Sequence, residues 1–308
     1  MPTIALTGAT GFVGRAVLKQ LLADGHRVRA LARPSRRLLD DDNLVRVPGT
    51  LEDADRLAEL VKDCHAVVHV AGAISGRDYA DFAHANVAGT ARLVDAIQKK
   101  ASTARLIHVS SLAAREPQLS DYAASKRAGE DIVTASGLKW GIIRPPAVYG
   151  PDDPALAPVW RLLAHGWLPC IGTKAGRFSL LHVADLATAI GCLVTSSQSD
   201  SWQTCLHDGK PGGYSWRELA DVAARVRNGK VRIVTVPRWM LKPVARLNLQ
   251  VARLRRARPP ALVPGKLREL AHSDWVCDNT QLPGCPEWKP SMQLKNCLTD
   301  LPGWSRFR

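Results

Sequence analysis

Short apolar runs alternate with helix-like patterns through the first half of the chain. The runs that we predict to be strands are Thr3–Leu6, His26–Leu31, Ala66–Val70, Arg105–Ser110 and Lys139–Ile143. The stretches whose apolar residues recur at helical spacing are Arg15–Ala23, Asp53–Val61, Tyr79–Lys100 and Tyr122–Ser136. Because strands and helices alternate, we expect an α/β fold in which helices cover both faces of a parallel sheet.

The pattern changes after Pro145-Pro146, where proline-rich connections replace the regular alternation. A further helix is predicted near Ala184–Val194, and short mixed elements follow it. We therefore expect a large domain over residues 1–150 with a return segment at about 178–200. Residues 151–177 and 201–308 would form a smaller region.

The composition excludes several other classes of protein. The chain has 308 residues and no apolar run near the roughly 18 residues that a membrane-spanning helix needs. Its seven cysteines are scattered without a CxxC pair, so we expect neither a zinc knuckle nor a disulfide framework. The nine histidines include no HExxH pattern, and we expect no metal site. Residues 1–14 read as a strand and a turn rather than as a signal peptide, so we expect a cytoplasmic protein.

The net charge of +14 is concentrated toward the C-terminal end. Eleven Lys or Arg residues and no acidic residue lie between Lys230 and Arg268. Five apolar residues in this segment predict an amphipathic helix that starts at or after Pro243; they are Met240, Val244, Leu247, Val251 and Leu254. The helix either packs on the core of the protein or lies on an anionic membrane surface through residues 238–258. We expect no nucleic acid partner, because no aromatic platform accompanies the charge.

Three glycines stand at GxxGxxG spacing between the first predicted strand and the first helix. Gly8 permits a tight turn, Gly11 lets the backbone approach a pyrophosphate, and Gly14 lets the helix pack on the strand. The N-terminus of that helix then faces the phosphates. The pattern predicts a dinucleotide site that includes Gly8, Thr10, Gly11, Phe12, Val13 and Gly14.

The segment after the second strand distinguishes between the two nicotinamide dinucleotides. An acidic residue there would accept hydrogen bonds from a free 2′-hydroxyl, and this chain has Arg33 instead. A guanidinium group pairs with phosphate in a forked geometry. We therefore expect NADP(H) rather than NAD(H), with Arg36 and Arg37 as solvated loop charges.

Tyr122 and Lys126 form a YxxxK pair, which places a phenol and an ammonium on one face of a helix. A cation beside a phenol stabilises the phenolate, so we expect the pKa of Tyr122 to fall toward the working range. Ser110 and Ser111 come at the end of a predicted strand, at the edge of the sheet where open α/β folds bind ligands.

With these motifs in order, residues 1–190 resemble the extended or atypical branch of the short-chain dehydrogenase/reductase superfamily. The motifs that carry the resemblance are TGATGFVG, Ala71-Gly72-Ala73, Asn86 in NVAGT, HVSS, YxxxK, RPPAVYGP and LLHVADLA. The chain is similar to dihydroflavonol reductases, 3β-hydroxysteroid dehydrogenases, sugar epimerases and the reductase-like accessory subunit of complex I. The resemblance implies a Rossmann-type doubly wound parallel sheet with a smaller C-terminal substrate-binding region.

The resemblance also implies a role for each matching residue. Tyr122 would exchange a proton with the substrate, Lys126 would bind the nicotinamide ribose and polarise Tyr122, and Ser111 would hydrogen-bond the substrate oxygen. Arg33 would bind the 2′-phosphate. The remaining cofactor contacts that it implies are Leu51, Ala71, Gly72, Ala73, Pro145, Pro146 and Val148.

Two departures from the family pattern bear on activity. The family often has a Gly-Asp-hydrophobic segment that contacts adenine, and this chain has Gly49-Thr50-Leu51 instead. The acidic adenine contact is therefore missing, and Asp53 is interpreted as a helix cap. The gap between Ser111 and Tyr122 is shorter than in sugar epimerases. His182 and Asp185, in turn, are interpreted as a packing residue and a helix cap rather than as a catalytic pair.

Three functions remain open at this point. The first is an NADP(H)-dependent oxidoreductase that acts on a carbonyl or a secondary alcohol of a small-molecule substrate. The second is a nucleotide-sugar epimerase or dehydratase. The third is a cofactor-holding structural or assembly protein without turnover. A homodimer is compatible with each of them.

Overall fold

The computed structural model describes residues 2–196, 200–257, 262–277 and 281–307. In chain order, the strands are β1 (Thr3–Thr7), β2 (Arg27–Ala32), β3 (Leu44–Pro48), β4 (Ala66–His69), β5 (Arg105–Val109), β6 (Trp140–Arg144), β7 (Ala147–Tyr149), β8 (Trp167–Ile171), β9 (Arg177–Phe178), β10 (Leu180–His182), β11 (Trp202–Cys205), β12 (Tyr214–Ser215), β13 (Arg232–Val236) and β14 (Asp274–Trp275). The helices are α1 (Phe12–Ala23), α2 (Ala54–Val61), α3 (Tyr79–Ala83), α4 (Thr90–Lys100), α5 (Asp121–Thr134), α6 (Ala157–Ala164), α7 (Val183–Thr195), α8 (Trp216–Arg227), α9 (Arg238–Leu254), α10 (Pro264–Leu270) and α11 (Leu294–Cys297).

Seven parallel strands form the central sheet in the order β11-β6-β5-β4-β1-β2-β3. The Rossmann-type α/β fold is therefore confirmed. The chain leaves β1 toward β2 on one side and returns at β4 on the other side. The strand order therefore reverses between β1 and β4, and the carboxyl edge of the sheet at such a switch point is where these folds bind ligands.

Apolar layers cover both faces of this sheet. Helices α1 and α7 pack on one face through side chains such as Leu18 and Ile190. Helices α2 and α4 pack on the other face through Leu57 and Ile97, which are fully buried. Burial of each such side chain stabilises the fold by about 1.5–3 kcal/mol, so the carboxyl edge of the sheet stands on a rigid base.

A separate apolar cluster lies in the C-terminal part of the chain, around Trp160 and Trp304. The expected boundary of this smaller region is wrong at one place, because Trp202–Cys205 forms β11 and extends the large sheet beside β6. The indole of Trp202 lies against Gly141, where a Cβ atom would be 2.3 Å from the ring. Glycine at that position leaves the space that the added strand needs.

Cys192 of α7 and Cys285 form a disulfide across a sequence separation of 93 residues. The expectation that the cysteines form no disulfide is therefore wrong for this pair. The two residues are not part of any short cysteine motif, so only their packing in the same apolar cluster brings them together.

Helix α9 differs from its prediction in two ways. It begins at Arg238, five positions before Pro243, which lies inside it. Pro243 has no N–H, so the helix lacks the backbone hydrogen bond that the Trp239 carbonyl would accept. Trp239 is exposed to water. The buried residues of α9 are Ala245 and Ala252, and the five apolar side chains from Met240 to Leu254 are exposed, so the alternative in which these five pack on the core is wrong. No helix among the described residues is long and apolar enough to cross a bilayer.

Candidate active site

The glycine-rich turn after β1 excludes side chains at two of its three glycines. Gly8 has a φ of +78°, and a Cβ atom on it would lie 2.6 Å from the amide nitrogen of Ala71. A Cβ atom on Gly14 would lie 1.9 Å from the carbonyl oxygen of Gly8. A Cβ atom on Gly11 would lie 3.4 Å from the carbonyl oxygen of Gly8, an ordinary van der Waals contact, so this position is less crowded than the other two. The turn therefore packs tightly against the loop after β4 and leaves more room at Gly11.

Helix α1 begins at this turn with no side chain on its first amides. Its N-cap is Gly11, which makes no side-chain cap bond, and its first turn has no acidic residue. Thr10 precedes the cap, and Phe12 lies beside Gly150 at the start of the smaller region. Val13 packs its side chain against the α1 and α7 layer. Uncapped amides and the helix dipole suit an anionic group, and these residues fit a dinucleotide pyrophosphate.

Arg33 follows β2 directly and is exposed at the carboxyl edge of the sheet. The guanidinium of Arg46, in the adjacent strand β3, donates to the carbonyl oxygens of Arg33 and Pro34, both at 2.8 Å. The backbone of Arg33 also accepts from the amide of Arg36 at 2.9 Å. Arg46 thus shapes the loop that presents Arg33. Sequence reasoning missed Arg46, because its contact with the Arg33 loop depends on the pairing of Ala30 with Arg46 between β2 and β3.

The segment after β3 differs from the expectation for Asp53. This residue occupies the N-cap position of α2 but makes no side-chain cap bond. Its carboxylate instead accepts from the amide of Thr50 at 2.7 Å and from its hydroxyl at 3.2 Å. Leu51 packs beside Gly89, where a Cβ atom would lie 2.7 Å from its side chain. Leu51 therefore packs against the helical segment that contains Gly89, and its contact with a cofactor stays a prediction.

Asn86 connects the loop after β4 to helix α5. The predicted helix over Tyr79–Lys100 is interrupted by a π-helical segment, His84–Gly89, which contains this residue. Its side-chain amide donates to the Ala73 carbonyl at 3.0 Å and to the Ser125 hydroxyl at 2.9 Å, and its oxygen accepts from the Ala73 amide at 2.8 Å. A Cβ atom on Gly72 would lie 3.9 Å from Nζ of Lys126. The loop that contains Ala71, Gly72 and Ala73 is therefore held against the YxxxK helix.

Ser111 and Tyr122 come together at the carboxyl end of β5. Ser111 caps a short 3₁₀ turn, with its hydroxyl accepting from the Ala113 amide at 3.2 Å. Tyr122 is half-buried, and desolvation of its phenol raises its pKa to about 12. A hydrogen bond with Ser111 opposes this increase, and the charge of Glu269 adds to it. At neutral pH the phenol therefore carries its proton.

Lys126 is buried under the same site. Its ammonium donates to the Val109 carbonyl at 2.9 Å, and burial lowers its pKa to about 8 despite the nearby charge of Glu130. Glu130 forms a bidentate ion pair with Arg144, at 2.8 and 2.5 Å. The expected decrease in the pKa of Tyr122 is not found, because desolvation raises this pKa and the Lys126 ammonium donates to the Val109 carbonyl.

The proline pair after β6 lies next to Ser111. The amide of Leu112 donates to the carbonyl of Pro145 at 2.8 Å, and Pro146 follows directly. Val148 is partly buried against the α1 and α7 layer. The structure thus brings these residues to the same edge as the glycine-rich turn. Their contact with a nicotinamide ring stays a prediction.

Two buried histidines under Lys126 were missed by sequence reasoning. Nδ1 of His69 accepts from the Thr7 hydroxyl (2.7 Å), and Nε2 of His69 donates to the Thr90 hydroxyl (3.0 Å). The ring has these roles because the Thr90 hydroxyl donates its own hydrogen to the Asn86 carbonyl and can only accept from Nε2. His108 lies beside it, with ring centroids 5.2 Å apart. Burial and the charge of Lys126 lower both pKa values, to about 3 for His69, so neither ring adds charge. His65, four residues before His69, is exposed at the other end of the strand.

His182 and Asp185 have roles other than catalysis. His182 caps α7 by accepting from the Ala184 amide at 3.2 Å. Asp185 is not a cap as expected; its buried carboxylate accepts from the amides of Ser291 and Met292 and from the Ser291 hydroxyl, at 2.9–3.0 Å. It thereby attaches the C-terminal segment to the large domain. No group of three His, Cys, Asp or Glu side chains within the described ranges could hold a metal ion.

Comparison with known proteins gives the same fold and a family. The model of the NAD dependent epimerase/dehydratase family matches residues 4–203. Ceramide reductase of Caulobacter vibrioides is 36% identical over 275 residues, which are 89% of this chain and 85% of that one. The 4-hydroxy-2-methyl-3-oxo-4-farnesyl-3,4-dihydroquinoline-1-oxide ketoreductase of Stigmatella aurantiaca is 29% identical over 83% of both chains. The structure of MoeE5 in complex with UDP-glucose and NAD shares the fold, with a TM-score of 0.74, 20% identity and 99% coverage of both chains.

Proposed function

The chain belongs to the NAD dependent epimerase/dehydratase family as an oxidoreductase, and we propose that it reduces the carbonyl group of an apolar, lipid-like substrate with NADPH. The observation that carries the proposal is the position of the half-buried Tyr122 phenol beside Ser111 at the carboxyl edge of β5. This edge also holds the glycine-rich turn, which fits a dinucleotide.

Tyr122 is the proton donor in this proposal. When bound, the dihydronicotinamide supplies the hydride to the carbonyl carbon. Because burial keeps the pKa of Tyr122 near 12, the phenol is protonated at neutral pH and can donate to the carbonyl oxygen. Ser111 orients that oxygen by a second hydrogen bond. The Lys126 ammonium, which has two donors beyond its bond to Val109, stabilises the phenolate until solvent reprotonates it.

The apolar class of substrate has two supports. Two relatives are named for the reduction of a ceramide and of a farnesylated dihydroquinoline oxide. In this chain, Ile74 is 71% exposed directly after Ala73, and Phe82 of the following helix lies 5.9 Å from the ring of Tyr122. Large apolar side chains therefore border the catalytic residues.

NADPH oxidation by the purified protein tests this function, with a long-chain 3-ketone of the ketoceramide type as substrate and UDP-glucose as comparison. We expect turnover only with the ketone. Tyr122→Phe should lose about 10²–10⁴-fold in rate while NADPH still binds, because only the transferable proton is removed. Tyr79→Phe, at an exposed position, is the matched control. Full activity of Tyr122→Phe would reject the proposed proton donor.

A further inference from the structure

Helix α9 exposes one row of large apolar side chains, while Leu241 and Leu249 are half-buried and Ala245 and Ala252 are buried. The side chains that we name the α9 stripe are Met240, Val244, Leu247, Val251 and Leu254, and they are 37–85% exposed. Their spacing places them on one side of the helix, as the sequence pattern indicates. Trp239, beside the first of them, is 71% exposed. A helix that served only to cover the fold would not expose such a row to water.

The stripe is not needed to hold α9 in place. Ala245 and Ala252 form the buried face. Asn248 donates to the Leu262 carbonyl at 3.0 Å, and Arg253 donates to the Arg77 carbonyl at 3.2 Å. The helix is therefore fixed to the protein by other contacts, and the stripe is available to a partner.

The charge around the stripe has one sign. Lys242, Arg246 and Arg253 follow one flank of α9, and Arg255 and Arg256 follow its C-terminal end. These five side chains are exposed and have no acidic partner in the part of the chain that the structure describes. No Asp or Glu occurs in the sequence from 230 to 268, and Arg258 lies outside the described residues. An apolar stripe flanked by unpaired cations is complementary to anionic headgroups above acyl chains.

We propose that α9 docks this protein on the surface of an anionic lipid bilayer. The stripe and Trp239 enter the boundary between headgroups and acyl chains, and the flanking Lys and Arg side chains contact lipid phosphates. This inference is independent of the proposed reaction, because it rests only on exposure and charge.

The docked helix is directly connected to the candidate active site. Arg253 contacts Arg77 in the loop after β4, and α9 packs against α10. In α10, Arg268 donates to the Leu119 carbonyl and Glu269 accepts from Ser120, which caps α5 two residues before Tyr122. A bilayer bound at α9 therefore lies on the side of the molecule where an apolar substrate would enter.

Cosedimentation of the full chain with vesicles tests the proposal. The vesicles are phosphatidylcholine alone, or phosphatidylcholine mixed with phosphatidylglycerol. We expect binding to the mixed vesicles at about 0.01 M salt and a steep decrease toward 0.15 M, as the Debye length falls from about 30 Å to about 8 Å. Binding to phosphatidylcholine alone should be at least tenfold weaker. Equal binding to both vesicles, or to neither, would overturn the proposal.

Two variants and a matched control separate the contributions. K242Q/R246Q/R255Q should weaken binding by about a hundredfold, at roughly fivefold for each basic residue near an anionic surface. L247Q/V251Q/L254Q should abolish it, and circular dichroism should show both variants folded because all six positions are exposed. K62Q/K100Q/K139Q removes the same charge at the opposite, amino edge of the sheet and should bind as the parent does.

Two further readouts complete the test. Trp239 fluorescence should shift to the blue with mixed vesicles, and Trp239→Phe should lose that shift. If light scattering instead shows a dimer that the L247Q/V251Q/L254Q variant dissociates, with no vesicle binding, the stripe serves a second copy of the chain and the membrane proposal is wrong.

Discussion

The Lys126 ammonium donates a hydrogen bond to the backbone carbonyl of Val109 across 2.9 Å. This bond attaches helix α5 to strand β5 just before the strand leads to Ser111. It therefore sets the distance between Ser111 and Tyr122, which come from different elements. The ammonium is buried to make this bond, and burial has a cost that can be measured.

Lys126→Met should stabilise the fold while it abolishes activity. Burial lowers the pKa of Lys126 from 10.5 to about 8, which corresponds to about 3 kcal/mol of unfavourable free energy below pH 8. Methionine removes this cost and loses one hydrogen bond of about 1 kcal/mol. Urea unfolding near pH 7 should therefore show a gain of about 1–2 kcal/mol.

The pH dependence of the stability difference between Lys126→Met and the parent provides the control. The folded protein binds fewer protons at Lys126 than the unfolded chain between pH 8 and 10.5, so the parent gains stability as pH rises through this window. The advantage of Lys126→Met should shrink over the same window. Lys99→Met, at an exposed position, should show no such trend. A constant difference from neutral pH to about pH 10.5 would contradict burial as the cause.

Arg33→Ala should weaken NADPH binding by about tenfold or more and NADH binding little. A charge-assisted contact with the 2′-phosphate is worth roughly 1.5–3 kcal/mol, and NADH lacks that group. Isothermal titration with both cofactors measures the difference. Arg36→Ala is the matched control, since this side chain is also exposed in the same loop. Equal losses for the two cofactors would remove Arg33 from the 2′-phosphate site.

The two directions of the proposed reaction should differ in pH dependence. Reduction needs the protonated phenol of Tyr122, which a pKa near 12 maintains through pH 10. Oxidation of the alcohol needs the phenolate, whose population rises about tenfold for each pH unit below that pKa. Steady-state rates in both directions from about pH 7 to 10 test this. Glu269→Gln removes a charge that raises the pKa of Tyr122, so it should increase the oxidation rate at a given pH.

Alkylation without reductant should modify five cysteines and leave Cys192 and Cys285 unmodified. These two residues form a disulfide, and the other five cysteines are in no disulfide. Mass spectrometry after denaturation should show two further labels only when a reductant is added. Reduction should also lower the free energy of unfolding by about 2–4 kcal/mol, because the disulfide joins distant parts of the chain. Cys192→Ser should remove the reductant effect, and seven labels without reductant would show that the bond does not form.

The sequence by itself determined the fold class and the local placement of the glycine-rich and YxxxK motifs. Strand and helix periods are local properties of the chain, and the GxxGxxG and YxxxK spacings have meaning only within one turn and one helix. Gly8, Gly14, Tyr122 and Lys126 could therefore be assigned before any contact was known. The orientation of α9 could not, because both of its faces carry apolar residues and only packing shows that Ala245 and Ala252 face inward.

The tertiary structure decided the electrostatics of the site and the long-range pairs. His69 and His108 are 39 positions apart and meet because β4 pairs with β5 in that register. Arg46 reaches the Arg33 loop only because β3 lies next to β2. The sequence placed a cation near Tyr122, but burial of the phenol could be seen only in the fold, and desolvation reversed the expected pKa shift. Desolvation depends on every atom packed around a group, which is why no local pattern predicts it.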